Sequence, residues 1–335
     1  MKRNMLITVI VVVVVLLVVG IAAGVIVTMK LTSTSNSTSS VSSGTFKPIQ
    51  IVAAENFWGS LITQLGGNRV SVVSIVTDPN TDPHEFESNT QDAIAIANAS
   101  LVIVNGADYD DWALQLIAAS NTPGQRVLNV QQLLNSTVNP GCAETAYTAE
   151  NTCVNPHFWY SPYYVNYTVH AMYNNLVSID PTGQAYYKAN YVALNSSLYT
   201  SYMARVQEIK QEYPNVPVAS TESIFAYMAN ATGLNLISPP GFMEAVAEGN
   251  DPSAQDVATF QNLMNDGNST VRVLVYNEQT VTPLTQTIKA LAAQNQIPTI
   301  GVTETIQPPD VPFQVWMGAE LISLQDALNA QALGQ

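Results

Sequence analysis

The chain has 335 residues, with 25 Asp and Glu against 11 Lys and Arg, and a formal net charge of −14. That acidity argues against nucleic acid as a partner, because phosphates would be repelled, and suits a soluble surface or a cation-binding role. Charged residues make up only 11% of the chain, so Ser, Thr, Asn, Gln and Tyr supply most of the polarity.

Met5 to Met29 is almost unbroken Val, Leu, Ile, Ala and Gly. A helix of that length spans the roughly 30 Å hydrocarbon core of a bilayer. Residues 1–30 are therefore expected to form an uncleaved transmembrane anchor, with a cleaved signal peptide as the competing reading. Lys2 and Arg3 keep the N-terminus cytoplasmic by the positive-inside rule, which places the body outside the cell. No cysteine precedes Cys142, which argues against a lipid-anchored cysteine. Residues 31–46 read as a flexible Ser/Thr-rich stalk.

Beyond the stalk, strand and helix patterns alternate. Strands are expected at Ile49–Ala54, Val70–Val76, Leu101–Asn105 and Val127–Val130. Helices are expected at Trp58–Leu65, Thr90–Ala97 and Asp111–Ala119. The segment Asn135–Asn155 breaks this rhythm and holds the only cysteines, Cys142 and Cys153. In an oxidising compartment they are expected to form a disulfide, with a cysteine metal site as the alternative. Seven Asn-x-Ser/Thr sequons, at Asn36, Asn98, Asn135, Asn166, Asn195, Asn230 and Asn268, suggest a glycoprotein if the body faces outward.

Pro162–Val177 reads as a helix. Within Thr182–Tyr213, apolar residues from Tyr187 to Ile209 recur every three or four positions and predict one unusually long helix. A second block repeats the rhythm. Its strands are expected at Val216–Ser220, Leu234–Ile237, Val271–Tyr276 and Thr299–Val302. Its helices are expected at Ile224–Ala231, Ser253–Met264, Leu284–Ala293 and Val315–Ala332. Such alternation implies βαβ units and mostly parallel sheets. The expected fold is α/β, with two lobes, each a mostly parallel sheet flanked by helices, joined by one long linking helix. The lobes would cover 47–180 and 215–335, with the linking helix at 181–214, and each is expected to carry its own apolar core.

Two histidines follow prolines in similar settings, His84 in Asp-Pro-His-Glu-Phe-Glu and His157 in Asn-Pro-His-Phe-Trp. Neutral imidazole is the commonest metal ligand, and proline stiffens the backbone that presents it. In open α/β sheets, ligands bind beyond the carboxyl ends of the strands. His84, Glu222 and Glu304 each follow a predicted strand, and His157 follows the loop that closes the first lobe. Together they make a plausible four-ligand site for a divalent transition ion. Each has a plainer reading: Glu222 and Glu304 as helix caps, and the histidines as buried hydrogen-bonding groups. Glu278 is the reserve candidate. His170 is assigned to packing or surface, and Glu85, Glu87, Glu244, Glu248 and Asp251 to solvated acids.

These two motifs, followed by Ser-Thr-Glu-Ser-Ile-Phe-Ala-Tyr and Pro-Ser-Ala-Gln-Asp, run from about Gln50 to the C-terminus. In that order they resemble the extracytoplasmic metal-binding proteins of ABC importers for zinc and manganese, the cluster A-I type of solute-binding protein. The resemblance implies two lobes on one long helix and an ion held between them. It places the ligands on His84, His157, Glu222 and Glu304. Four features depart from that family's usual pattern. Asn155 stands where Asp is common, Glu304 stands where Asp is more frequent, no His-rich acidic loop precedes His157, and the expected transmembrane anchor replaces the usual lipid or cleaved signal. The expected function is capture of zinc or manganese, with iron as a third candidate, by a membrane-anchored extracellular monomer that delivers it to an ABC permease. It performs no catalysis. A surface metallohydrolase using the same ligands and a metal-stabilised adhesin are the rivals.

Overall fold

The computed structural model describes residues 47–80, 83, 86–137, 155–266 and 270–332. The expected anchor, the stalk, the Cys142–Cys153 disulfide, His84 and Glu85, and the sequons at Asn36 and Asn268 lie outside them. Among the described residues no helix is long and apolar enough to cross a membrane.

The first sheet is built from β1 (Ile49–Glu55), β2 (Val70–Val76), β3 (Leu101–Val104) and β4 (Arg126–Asn129). All pairings are parallel, in the order β2-β1-β3-β4. The central strands β1 and β3 are apolar and almost wholly buried, as a parallel sheet covered on both faces requires. At the edge, β2 alternates partly buried and exposed residues. Helices Asn56–Gly66, Thr90–Asn98 and Asp111–Ser120 connect the strands. Asn89 caps the second of these in a reciprocal box with Asp92, which satisfies N–H groups that a helix start leaves open.

The second sheet repeats the order with β5 (Pro217–Ser220), β6 (Asn235–Leu236), β7 (Leu274–Asn277) and β8 (Thr299–Val302), paired β6-β5-β7-β8 and again parallel. In both sheets the chain runs outward from a central strand and then crosses to its other side. Each sheet therefore has a topological switch point, between β1 and β3 and between β5 and β7, where crevices form at the carboxyl ends.

Between the sheets an unbroken helical path runs from Gln184 to Glu212, α-helical except for a π segment at Tyr199–Met203. Its buried residues Leu194, Leu198, Tyr202 and Val206 are spaced by four. On an α-helix each such step drifts by about 40°. The wider π turn absorbs the drift and keeps Tyr202 facing inward. At its start, Asp180 accepts from Arg69 Nε and Nη2 at 2.9 and 2.6 Å and from Tyr187 Oη at 2.8 Å, tying the path to the start of β2. The final helix, Phe313–Ala332, crosses the π segment at Gly318, where a Cβ would come within 2.7 Å of the Ser201 carbonyl.

Each lobe has an apolar cluster of its own, as expected, but the two are not separate. Val52, Val102 and Val104 form a cluster on one face of the first sheet, and Phe242, Phe260 and Leu274 form one in the second block. The most extensive cluster, however, runs continuously from Ile51 and Phe57 through Tyr202 to Val218, Val302 and Trp316. Two helices also went unread in the sequence, Val130–Thr137 and Pro240–Ala247, both shorter than the window over which helical periodicity becomes visible. The third strand of the second block begins at Leu274 rather than Val271.

Candidate metal centre

His157, Glu222 and Glu304 converge, and their ligand atoms lie within 4.8 Å of one another. All three are 0% exposed. Glu222 lies two residues beyond β5 and Glu304 two beyond β8. His157 begins the 3-10 turn Phe158–Tyr160. Its Nε2 is 3.2 Å from Glu222 Oε1.

The plainer readings of the carboxylates fall away. Glu222 sits at the N-cap of the turn Ser223–Phe225 but makes no side-chain cap bond, and no helix starts at Glu304. Both carboxylates instead accept from one amide: Asn277 Nδ2 donates to Glu222 Oε2 and to Glu304 Oε1, each at 2.6 Å. The Tyr109 hydroxyl donates to Glu304 Oε2 at 2.6 Å. Gln279 Oε1 accepts from the backbone N–H groups of Glu304 and Thr305 at 2.7 and 2.9 Å, fixing that turn.

The imidazole is oriented by the same kind of contact. Asn155 Oδ1 lies 2.7 Å from His157 Nδ1. The Asn155 Nδ2 group donates to the Ser223 carbonyl at 2.9 Å, which fixes the amide with its oxygen toward the ring. An amide oxygen only accepts, so Nδ1 carries a hydrogen and Nε2 is the ring nitrogen that faces Glu222. The departure from Asp to Asn at this position therefore retains the acceptor. Asn105, just past β3, donates to the Pro156 carbonyl at 2.8 Å and holds the loop down. Trp159 stacks on Phe57 at 3.9 Å and meets the His157 ring edge-on at 5.3 Å. These aromatics exclude water, and in a medium of low dielectric charge–charge terms grow.

A second acidic pair lies beside the cluster. Asp110 accepts from the Asn105 and Gly106 N–H groups at 2.5 and 2.8 Å, yet burial pushes its carboxyl up to about 6. Burial, with the Asp110 charge adding to it, raises Glu55 well above the usual carboxylate range.

The remaining sequence candidates fall as follows. Of the first histidine motif the structure describes Pro83, which is buried, and Phe86, which packs on Trp112 at 4.8 Å. Glu278, the reserve candidate, is exposed, lies over Gly301 and is not part of the cluster. His170 is exposed, 3.3 Å from the Tyr191 hydroxyl. The supporting residues Asn277, Tyr109 and Gln279 went unread. A buried asparagine closing β7 was the one available signal, since that strand end faces the same crevice as Glu222. A cavity of about 750 Å³ between helices Pro162–Ile179 and Ala226–Ala231 and the π segment shares no residue with the cluster.

Two parallel sheets of identical order on one spanning helix, with His157, Glu222 and Glu304 buried where the strand ends meet, define a two-lobed α/β fold. The chain belongs to the ZnuA family: residues 51–327 match its model, described as zinc-uptake complex component A, periplasmic. It is similar to the manganese-binding lipoprotein MntA of Halalkalibacterium halodurans, 24% identical over 198 residues, covering 56% of this chain and 59% of that protein. It is also similar to the zinc-binding protein AdcA of Streptococcus pyogenes, 25% identical over 206 residues, covering 56% of this chain and 38% of that protein. The chain thus spans about three-fifths of the first relative's length and less of the second. The Mn-bound periplasmic metal-binding protein from Candidatus Liberibacter asiaticus shares the fold, with a TM-score of 0.67 at 17% identity over 84% of this chain and 100% of that one.

Proposed function

We propose that this protein is an extracytoplasmic solute-binding protein that captures zinc or manganese and hands it to an ABC permease. The carrying observation is the convergence of His157 Nε2 with the Glu222 and Glu304 carboxylates, all buried and all aimed by partner amides or hydroxyls. His157 Nε2 and Glu222 Oε1 lie 3.2 Å apart, a pair that a proton bridges in metal-free protein and that a metal ion would take over on binding. One imidazole with two carboxylates suits zinc, manganese or iron better than calcium. His84 is proposed as the fourth ligand, on the motif alone. The lobe limits 47–180 and 215–335, with the linking helix at 181–214, belong to this reading. So do an anchor at residues 1–30, a stalk at 31–46, an extracellular body that acts as a monomer, a Cys142–Cys153 bridge, and glycans on exposed sequons such as Asn98, Asn166 and Asn230.

The hydrolase alternative uses the same ligands but needs an open coordination position and room for a substrate. Complete burial of all three side chains favours sequestration over turnover. The test is elemental analysis of protein purified without chelator, followed by zinc and manganese titration calorimetry. The wild type is expected to bind one ion, and His157→Ala and Glu222→Ala to lose it while keeping the native circular dichroism. Because protons compete with the metal for the imidazole nitrogens, affinity should fall as pH is lowered. Unchanged affinity in both variants would show that the ion, if any, binds elsewhere.

A further inference from the structure

Glu320 lies on the last helix, between the turns that carry His157 and Glu304. Its Oε1 accepts from the Thr303 N–H at 3.0 Å, one residue before Glu304. Its Oε2 is 2.7 Å from the Tyr160 hydroxyl, at the end of the turn that follows His157. That hydroxyl is also 2.8 Å from the Thr303 carbonyl. The three contacts close a ring, and each needs a hydrogen. The amide supplies one and the phenol one. An ionised Glu320 supplies none, so one contact would bring two acceptors together. All three carry a hydrogen only if Glu320 Oε2–H donates to Tyr160, Tyr160 donates to the Thr303 carbonyl, and Oε1 accepts from Thr303 N–H.

We propose that Glu320 is a positioning residue held as a neutral carboxylic acid at neutral pH, and that it fixes the His157 turn against the Glu304 turn. The positioning half rests on the metal-binding reading above. Glu320 is half-buried as a whole residue and lines a small cavity together with the apolar side chains of Ile300, Val302, Met317 and Leu321. Among the described residues, the titratable groups that act on it are Tyr160 and Glu278. Arg205, on the adjacent helix Ala204–Glu212, donates to Gln325 instead, at 2.5 Å. Burial pushes the Glu320 carboxyl up to about 8, against the hydrogen bonds from Tyr160, Thr303 and Trp316 and with the Glu278 charge adding to it. A carboxyl raised on folding stabilises most at low pH, and the contribution is lost as pH climbs through the folded value.

Glu320→Gln reproduces the neutral pattern, with the amide N–H donating to Tyr160 and the amide oxygen accepting from Thr303. The test has two arms. In metal-free protein, melting temperature is followed from pH 6 to 9. The wild type should lose stability toward pH 9, and Glu320→Gln should lose distinctly less. With zinc chloride at pH 7, Glu320→Gln should bind within about threefold of wild type. Glu320→Ala and Tyr160→Phe should bind about tenfold or more weakly, the range typical of groups that orient metal ligands. Parallel melting profiles for wild type and Glu320→Gln would overturn the protonation claim. A Glu320→Gln affinity as low as that of Glu320→Ala would overturn the positioning claim. If the wild type takes up no zinc, the metal reading and the positioning claim fall together, and the melting arm still decides the protonation.

Discussion

At the residue scale the site depends on one amide. Asn277 Nδ2 has two hydrogens and meets three acceptors, the two carboxylates and Thr280 Oγ1 at 3.0 Å. It stands between Glu222 and Glu304 where like charges would otherwise face each other. Hydrogen bonds to charged groups contribute about 1.5–3 kcal/mol each. Asn277→Ala should therefore cost the metal-free protein about 3–6 kcal/mol, and the zinc-loaded protein less, because the cation takes over the screening. Denaturant titration with chelator and with zinc checks this, and equal losses in both would refute it. Glu55 and Asp110 set a pH dependence at lower pH. Both carboxyls are raised on folding, so their stabilising effect is greatest in acid and fades as pH rises through about 6 for Asp110. Glu55→Gln removes one of them. The stability of Glu55→Gln relative to wild type should increase between pH 4 and 7 in metal-free protein. A difference that stays constant with pH would mean that Glu55 titrates normally.

At the element scale the linking helix explains a pattern that periodicity alone misreads. The stripe from Tyr187 to Ile209 predicts one helix, and the described path is one helix with a π turn inside it. The spacing by fours was visible in the sequence, but the local widening that accommodates it was not, and it falls where the last helix crosses. Gly318 is the contact point. A methyl group there meets a backbone carbonyl, which cannot rotate away. Gly318→Ala should destabilise by about 1–3 kcal/mol, the usual cost of overpacking, and leave zinc stoichiometry at wild-type level. Denaturant midpoints report the first and calorimetry the second. A neutral Gly318→Ala would show that the two helices separate without cost.

At the scale of the molecule, the shared core predicts that the two sheets unfold as one cooperative unit. The cluster that joins Ile51 to Trp316 is reinforced by hydrogen bonds between helix Asn56–Gly66 and the segment leading into the last helix. Asn56 Oδ1 accepts from Ile306 N–H at 2.9 Å, and Ser60 Oγ accepts from Phe313 N–H at 3.0 Å. Scanning calorimetry of metal-free protein should show a single transition with equal calorimetric and van't Hoff enthalpies. A ligand at a thousandfold excess over its Kd should raise stability by about 4 kcal/mol. Two resolved transitions would restore the picture of independently stable lobes.

The alternating pattern of apolar strands and amphipathic helices is local, and the sequence by itself determined it. Val70–Val76 and Thr299–Val302 are predicted to the residue, because side-chain period and turn residues are written into neighbouring positions. That His157, Glu222 and Glu304 follow strands or loops at one edge also comes from chain order and the rule for open sheets. The partners that aim these groups come from tertiary structure alone. Tyr109 reaches Glu304 across 195 positions, and Tyr160 reaches Glu320 across 160, separations over which no period survives. Asn277 and Glu278 show the limit most sharply. They are adjacent and both polar, but successive residues at a strand end point to opposite sides. Only the pairing of β7 with β8 turns Asn277 into the crevice and leaves Glu278 outside it.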